Sequence, residues 1–133
     1  MRKQSTNKLA TAKRKAWKAF SEYIRRRDNG VCFTCGKKDD WKRTDAGHYI
    51  PGSVCGLVLY FSEINVNCQC TSCNRFKHGN LSEYALKLQR KHGEGVLEFL
   101  SATRVNSKGV IFTVEDYKKI EEEYKEKLKE YGE

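Results

Sequence analysis

Two cysteine pairs, Cys32-Phe33-Thr34-Cys35 and Cys70-Thr71-Ser72-Cys73, constrain this 133-residue chain more than any other feature. Each pair has two intervening residues, and a turn that short lets both sulfurs face one ion, so the four suit a single tetrahedral Zn²⁺. A fold built on them brings segments 32–35 and 70–73 together. Thirty-four residues separate Cys35 from Cys70, against roughly 15 to 20 in a compact two-knuckle ribbon. The enclosed loop therefore carries structure of its own. A domain of this size buries only about two thirds of its unfolded surface, so a structural metal adds to a thin core. Cys68 is an alternative ligand to Cys70, but four residues would then separate it from Cys73 and break the symmetry with the first pair. Cys55 and Cys68 read as buried thiols.

No apolar signal segment follows Met1, only Arg2-Lys3 and a polar run. The cysteines are accordingly read as thiols of a reducing cytoplasm and not as a secreted disulfide scaffold. No run approaches the roughly 18 apolar residues that span a bilayer, so the expectation is a soluble protein with no membrane partner. The net charge of +9 is concentrated at one end: residues 1–30 carry ten Lys and Arg against Glu22 and Asp28, whereas residues 114–133 carry five against eight acids. A positive field there and around the cysteines attracts a polyanion and releases its counterions, which makes nucleic acid the expected partner. Arg14, Lys18, Arg25, Arg26 and Arg27 are the candidate contacts on the first helix, and Arg75, Lys77 and His78 those beside the last cysteine. A solvated basic face is the bland alternative.

The chain is expected to be one domain, 1–133, of α+β class: a basic N-terminal helix (1–28), a zinc-bound core (29–81) and a helical C-terminal part (82–133). The first helix is expected over about Thr6 to Arg27, capped by Ser5 or Thr6, with Leu9, Ala16, Phe20, Tyr23 and Ile24 on one stripe, and stopped by Asp28-Asn29-Gly30. A second, capped by Asn80 or Ser82, turns Leu81, Tyr84, Ala85 and Leu88 inward and ends at His92-Gly93. A short third carries Val96, Leu97 and Leu100. Thr113 with Asp116 reads as a capping box for a last helix, along which Val114, Tyr117, Ile120, Tyr124, Leu128 and Tyr131 form a stripe, either packed on the domain or serving as a dimer seam. Val58-Leu59-Tyr60-Phe61 reads as a strand or a strand-like core segment inside the zinc loop.

Hydrolysis of a phosphodiester with one metal needs a hard cation on oxygen ligands and a base that activates water. Histidine suits the second task because its pKa lies near neutrality. Asp45 and His48 stand three residues apart, and Asn74 directly follows Cys73, so zinc closure would gather them. Asp45 and Asn74 would hold Mg²⁺ or Mn²⁺, and His48 would take the proton from water. Other readings stay open: His48 as a fifth zinc ligand or core histidine, and Asn74 as a helix cap.

Cys32-x-x-Cys35, Gly47-His48-Tyr49, Asn65 and Cys70-x-x-Cys73-Asn74 resemble the zinc-bound form of the HNH, or ββα-metal, endonuclease motif. The resemblance implies that Asn65 braces the loop presenting the base, and that the core is HNH-like. The Asp-x-x-His spacing and the Asn after the last cysteine are similar to the endonuclease VII type of phage junction resolvase. A longer likeness, through Ala16-Trp17-Lys18-Ala19-Phe20-Ser21-Glu22-Tyr23-Ile24-Arg25, Ala46-Gly47-His48-Tyr49, Gln69-Cys70, Gly79-Asn80 and Tyr84, is to the NinG, or Rap, recombination endonucleases of lambdoid phages. It implies a phage protein acting in the host cytoplasm on Holliday junctions, D-loops and related branched DNA. This chain departs from many HNH enzymes in having Gly47, not a metal ligand, before His48. The burden passes to Asp45, which in a regular strand points away from His48, so a turn or bulge is expected between them.

Two functions follow: a metal-dependent DNA endonuclease, and a non-catalytic zinc module that binds nucleic acid through its basic helix. The set Asp45, His48 and Asn74 favours the enzyme, since a binding module has no use for it. Two symmetric cuts at a junction further suggest a homodimer.

Overall fold

The computed structural model describes residues 2–132, with side chains from Thr6 onward. The elements in chain order are α1 (Arg2–Arg27), a 3₁₀ turn (Trp41–Arg43), β1 (Asp45–His48), α2 (Gly56–Tyr60), β2 (Val66–Gln69), a π-helical turn (Ser72–Phe76), α3 (Leu81–His92), α4 (Val96–Asn106), α5 (Val114–Leu128) and a closing 3₁₀ turn (Lys129–Tyr131). This is a mixed α+β chain whose strands form one two-stranded sheet among the described residues. It divides into two compact units, one of residues up to Tyr23 with those from Ile111 onward, the other of Ile24–Val110.

In the first unit, α1 begins at Arg2 and not near Thr6, because nothing in Arg2-Lys3-Gln4 disfavours helix. Thr6 lies inside the helix, and the side chain of Ser5 lies outside the described residues. Ala12, Ala16, Ala19 and Phe20 are buried, whereas Leu9, expected on the same stripe, is 38% exposed. Opposite them, α5 opens on the expected capping box: Thr113 Oγ1 accepts from the Asp116 N–H at 3.2 Å, and Asp116 Oδ2 accepts from the Thr113 N–H at 2.8 Å. Tyr124 meets Phe20 edge-on at 4.8 Å and Tyr23 at 5.2 Å. Tyr117 and Tyr124 are buried inside this unit. The aromatic centre of the α5 stripe is therefore a packed face and does not serve as an open dimer seam.

The second unit holds the sheet. β1 and β2 pair antiparallel in unbroken register, Asp45↔Gln69, Ala46↔Cys68, Gly47↔Asn67 and His48↔Val66. The bulge expected between Asp45 and His48 is absent. The strand expected at Val58–Phe61 is also absent: residues Gly56–Tyr60 form the one-and-a-half-turn helix α2. A short apolar run satisfies either period, and tertiary packing decides. Here Gly56, at φ +81°, turns the chain, and Leu59 enters a core with Cys55, Tyr84, Leu88, Val96 and Leu100. α4 packs on α2 and α3. α3 ends at His92 with Gly93 at φ +95°, as expected of a glycine stop. Leu81 is 38% exposed and not inward.

A buried polar chain fixes the sheet. Arg27 pairs with Asp28 at 2.8 Å and donates to the Asn67 side-chain oxygen and the carbonyls of Glu63 and Val66. Asp28 Oδ2 accepts from the Cys68 N–H at 2.9 Å. Asn67 donates to the Tyr84 hydroxyl, which donates to the Gly47 carbonyl at 2.6 Å. Each link satisfies a group that burial would otherwise leave unpaired. Burial pushes the Tyr84 phenol well above its usual range, so it stays a proton donor.

Candidate active site

The four knuckle cysteines converge. Ligand sulfurs of Cys32, Cys35, Cys70 and Cys73 all lie within 4.8 Å of one another, so together they could hold a zinc ion. The first knuckle closes through Cys32 N–H to the Lys37 carbonyl at 2.8 Å and Gly36 N–H to the Cys32 carbonyl at 2.9 Å, with Gly36 at φ +82°. Donors are aimed at sulfur throughout: the Cys35 N–H and the Thr34 hydroxyl at Cys32, the Cys73 N–H at Cys70, and the Asn80 amide at Cys73. Such contacts stabilise thiolates and orient metal ligands. Burial pushes the Cys32 thiol up, but the Thr34 hydroxyl and three backbone amides outweigh it and hold the thiol near 6. The Lys37 backbone amide draws Cys35 down, yet burial and the neighbouring thiols push it up to about 12. One thiolate thus forms readily and the next is opposed by its charge, a repulsion that a bound cation removes. Cys55 and Cys68 lie outside the cluster and are buried, and burial pushes Cys68 up to about 11.

Asn74 directly follows Cys73 inside the wide π-turn Ser72–Phe76, a local geometry enriched at functional sites. Its amide donates to Asp45 Oδ2 at 3.1 Å, across 29 residues of sequence, so the knuckle does bring these two together. The amide oxygen of Asn74 then faces Gly47: it lies 2.9 Å from where a Cβ on Gly47 would stand, and the Gln69 Oε1 lies 1.9 Å from the same point. Asp45, Gly47, Gln69 and Asn74 consequently share one face, with Gln69 directly across the strand pair from Asp45. Asp45 is also held by Arg75, through Nε and Nη2, both at 3.2 Å.

His48 is on the other face, since residues three apart on a regular strand point oppositely. Its Nε2 lies 3.0 Å from the Tyr60 carbonyl, which can only accept, so Nε2 carries a proton. The Tyr60 ring lies 4.7 Å from the imidazole. Asn65, fully buried, accepts from the Ile50 N–H at 2.9 Å and donates to the Ile50 and Leu59 carbonyls, tying the loop after His48 to the end of α2.

A family model described as Bacteriophage Lambda NinG protein matches residues 1–133. The chain belongs to the NinG family. It is similar to Protein ninG of Escherichia phage lambda, 32% identical over 134 residues that cover 96% of this chain and 63% of that protein. Protein ninG of Salmonella phage P22 is also 32% identical, over 96% of this chain and 64% of that protein, and that of Escherichia phage 933W is 31% identical over the same shares. The chain thus spans a little under two thirds of the length of these curated relatives. No solved structure matches it.

The basic residues of this NinG-family chain fall into different environments. Arg25 and Arg26 stack over the Trp41 ring, at 5.2 and 5.0 Å from its centroid, with Lys42 at 5.8 Å. Arg27 points inward into the polar chain described above and is not a surface contact. Lys77 and His78 are exposed beside the π-turn, and Arg14 and Lys18 are exposed on α1 in the other unit. No described helix is long and apolar enough to cross a membrane. Sequence reasoning assigned no role to Gln69 or Thr34. Gln69 entered only through the Gln69-Cys70 likeness, directly before a cysteine, and Thr34 only as a residue between two cysteines.

Proposed function

We propose that this chain is a metal-dependent DNA endonuclease of the HNH, or ββα-metal, type that hydrolyses phosphodiester bonds in branched recombination intermediates such as Holliday junctions and D-loops. The observation that carries the reading is the pairing of Asp45 with Asn74 beside a cysteine cluster suited to zinc, with His48 on the same short strand. Membership of the NinG family agrees with a phage setting.

The donor set fits a hard divalent cation, Mg²⁺ or Mn²⁺: a carboxylate and a carboxamide side by side, with a second carboxamide oxygen next to them. Such a cation, when bound, supplies positive charge to the scissile phosphate and the leaving oxygen. Arg75 holds the Asp45 carboxylate from the solvent side, with its own side chain 66% accessible and that of Asp45 17%. With its arginine end in water the pair is screened, so a cation on the carboxylate and a phosphate on Arg75 can displace it. His48 accepts the proton of the attacking water at Nδ1, held in that tautomer by the Tyr60 carbonyl. Asn65 positions the loop on which this depends. Asp45 and His48 face opposite sides of β1, so His48 approaches the phosphate from a different side than the cation ligands do. Two cuts at a four-way junction call for two protomers, joined elsewhere than through Tyr117 and Tyr124.

The same Arg75–Asp45 pair favours a second reading, a non-catalytic zinc module that binds nucleic acid, in which that pair is merely structural. Asn74→Ala separates the two. As an endonuclease the variant needs more Mg²⁺, its cleavage falling about 10-fold or more at limiting Mg²⁺ and recovering as the ion is raised, while DNA binding is unchanged. Native protein that binds DNA and cuts none at any Mg²⁺ concentration leaves only the module.

Arg25 and Arg26, half-buried over Trp41, are the basic residues to test. Replacing both with Ala should weaken binding alike on all DNA sequences and lower the salt slope by about 0.9 for each duplex phosphate that the two arginines neutralise. An unchanged slope, measured by fluorescence anisotropy across a salt series, assigns both arginines to Trp41 alone.

A further inference from the structure

We propose that Gln69 supplies a third oxygen donor to the divalent-cation site, and that Thr34 couples its orientation to the zinc cluster. The inference rests on the reading of Asp45 and Asn74 as cation ligands and extends it to a residue with no assigned role.

Gln69 is fully buried, and its Oε1 is the one buried side-chain polar atom without a hydrogen-bond partner among the described residues. An unsatisfied buried acceptor costs about 1–3 kcal/mol, and native folds keep few of them. Its location gives the reason for keeping this one. Oε1 and the Asn74 amide oxygen lie 1.9 and 2.9 Å from one point, the place a Gly47 Cβ would occupy. Only glycine lets two such oxygens converge there. Asp45 stands opposite Gln69 in the strand register. The set is therefore two carboxamide oxygens and a carboxylate, the donors that hard divalent cations take.

The amide cannot turn away. Gln69 Nε2 donates to the Gly79 carbonyl at 2.8 Å and to Thr34 Oγ1 at 3.1 Å. Rotating it by half a turn would set Oε1 against the Gly79 carbonyl and leave the amide hydrogens facing Asn74. Thr34 Oγ1, accepting from Gln69, has one proton to give, and Cys32 Sγ lies 3.3 Å away to receive it. A thiolate at Cys32 thus orders Thr34, Thr34 orders Gln69, and Gln69 aims its oxygen at the Asp45–Asn74 site. Gln69 is accordingly a ligand and Thr34 a positioning residue.

Mn²⁺ binding to the zinc-loaded full chain tests this without recourse to activity. Titration calorimetry should give Gln69→Leu a Kd about 10–100-fold weaker than native, with zinc content unchanged, and Asp45→Asn a larger loss. Thr34→Val, which keeps the thiolates but frees the amide, should weaken binding several-fold, and no change would sink the coupling to zinc. A Gln69→Leu chain that binds Mn²⁺ within twofold of native while Asp45→Asn does not bind overturns the role of Gln69 and leaves the cation site standing. Native protein that binds no Mn²⁺ overturns both. Should Gln69→Leu fail to fold, the native protein still decides: the side-chain carbonyl ¹³C signals of Gln69 and Asn74 should move together in a Mg²⁺ titration. An unmoved Gln69 signal beside a moving Asn74 signal refutes the proposal.

Discussion

Stripping zinc with a chelator, or replacing Cys70 with Ser, is expected to unfold the unit of residues Ile24–Val110. Apparent zinc binding energies of about 10–16 kcal/mol in small zinc-finger sites match or exceed the whole stability of an ordinary domain, about 5–15 kcal/mol. The ion closes a loop of 34 residues between Cys35 and Cys70, so its loss releases β1, α2 and β2 together. Cys68 cannot substitute, since its sulfur is held outside the cluster and its proton is retained by burial. Zinc affinity should fall as the pH falls, because binding requires four thiols to give up protons and acid returns them. The checks are elemental analysis, with one zinc per chain expected, and a thermal melt of the Cys70→Ser protein. A zinc-free native protein, or a Cys70→Ser melt identical to native, contradicts this.

What the sequence disclosed and what it withheld have physical causes. Cysteine spacing is a local signal with a steep geometric requirement, and the four sulfurs do converge as it demanded. The capping box at Thr113 and the glycine stop after His92 were equally legible, because each is settled within four residues. Val58–Phe61 reads as a strand and is not one because a four-residue apolar run has too little length to establish a period, and the burial of Leu59 decides for helix. The α1 stripe is correct at Ala16, Phe20 and Ile24 but wrong at Leu9, where α1 has less to cover it.

At the site, the meeting of Asp45 with Asn74 follows from the knuckle as expected, but the bulge meant to bring Asp45 round to His48 does not form. Gly47 serves differently: its missing side chain makes room for the Gln69 amide. That role could not be read in advance, since it depends on the pairing of Asp45 with Gln69 and a strand register is not written in either strand alone. Arg27 looks like its neighbours in a basic run, and only the position of Asp28, Asn67 and the β2 carbonyls turns it inward.

His48→Ala is expected to lower DNA cleavage about 10²–10⁴-fold, the usual contribution of a positioned general base, while leaving DNA affinity nearly unchanged. The imidazole donates to the Tyr60 carbonyl and lies tilted against the Tyr60 ring, and neither interaction involves phosphate. Its removal deletes a proton acceptor from the edge of the core without disturbing the cysteines or Asn65. The expected outcome is therefore a separation of function, with binding kept and hydrolysis lowered by that factor. Single-turnover cleavage of end-labelled four-way junction, flap and plain duplex DNA, with Mg²⁺ and with the native and His48→Ala proteins side by side, measures it directly. Mg²⁺-dependent cutting of branched DNA by the native protein alone is the predicted result. Equal cutting by the two proteins, or none by the native protein on any of the three substrates, would contradict the assignment of this site as a nuclease.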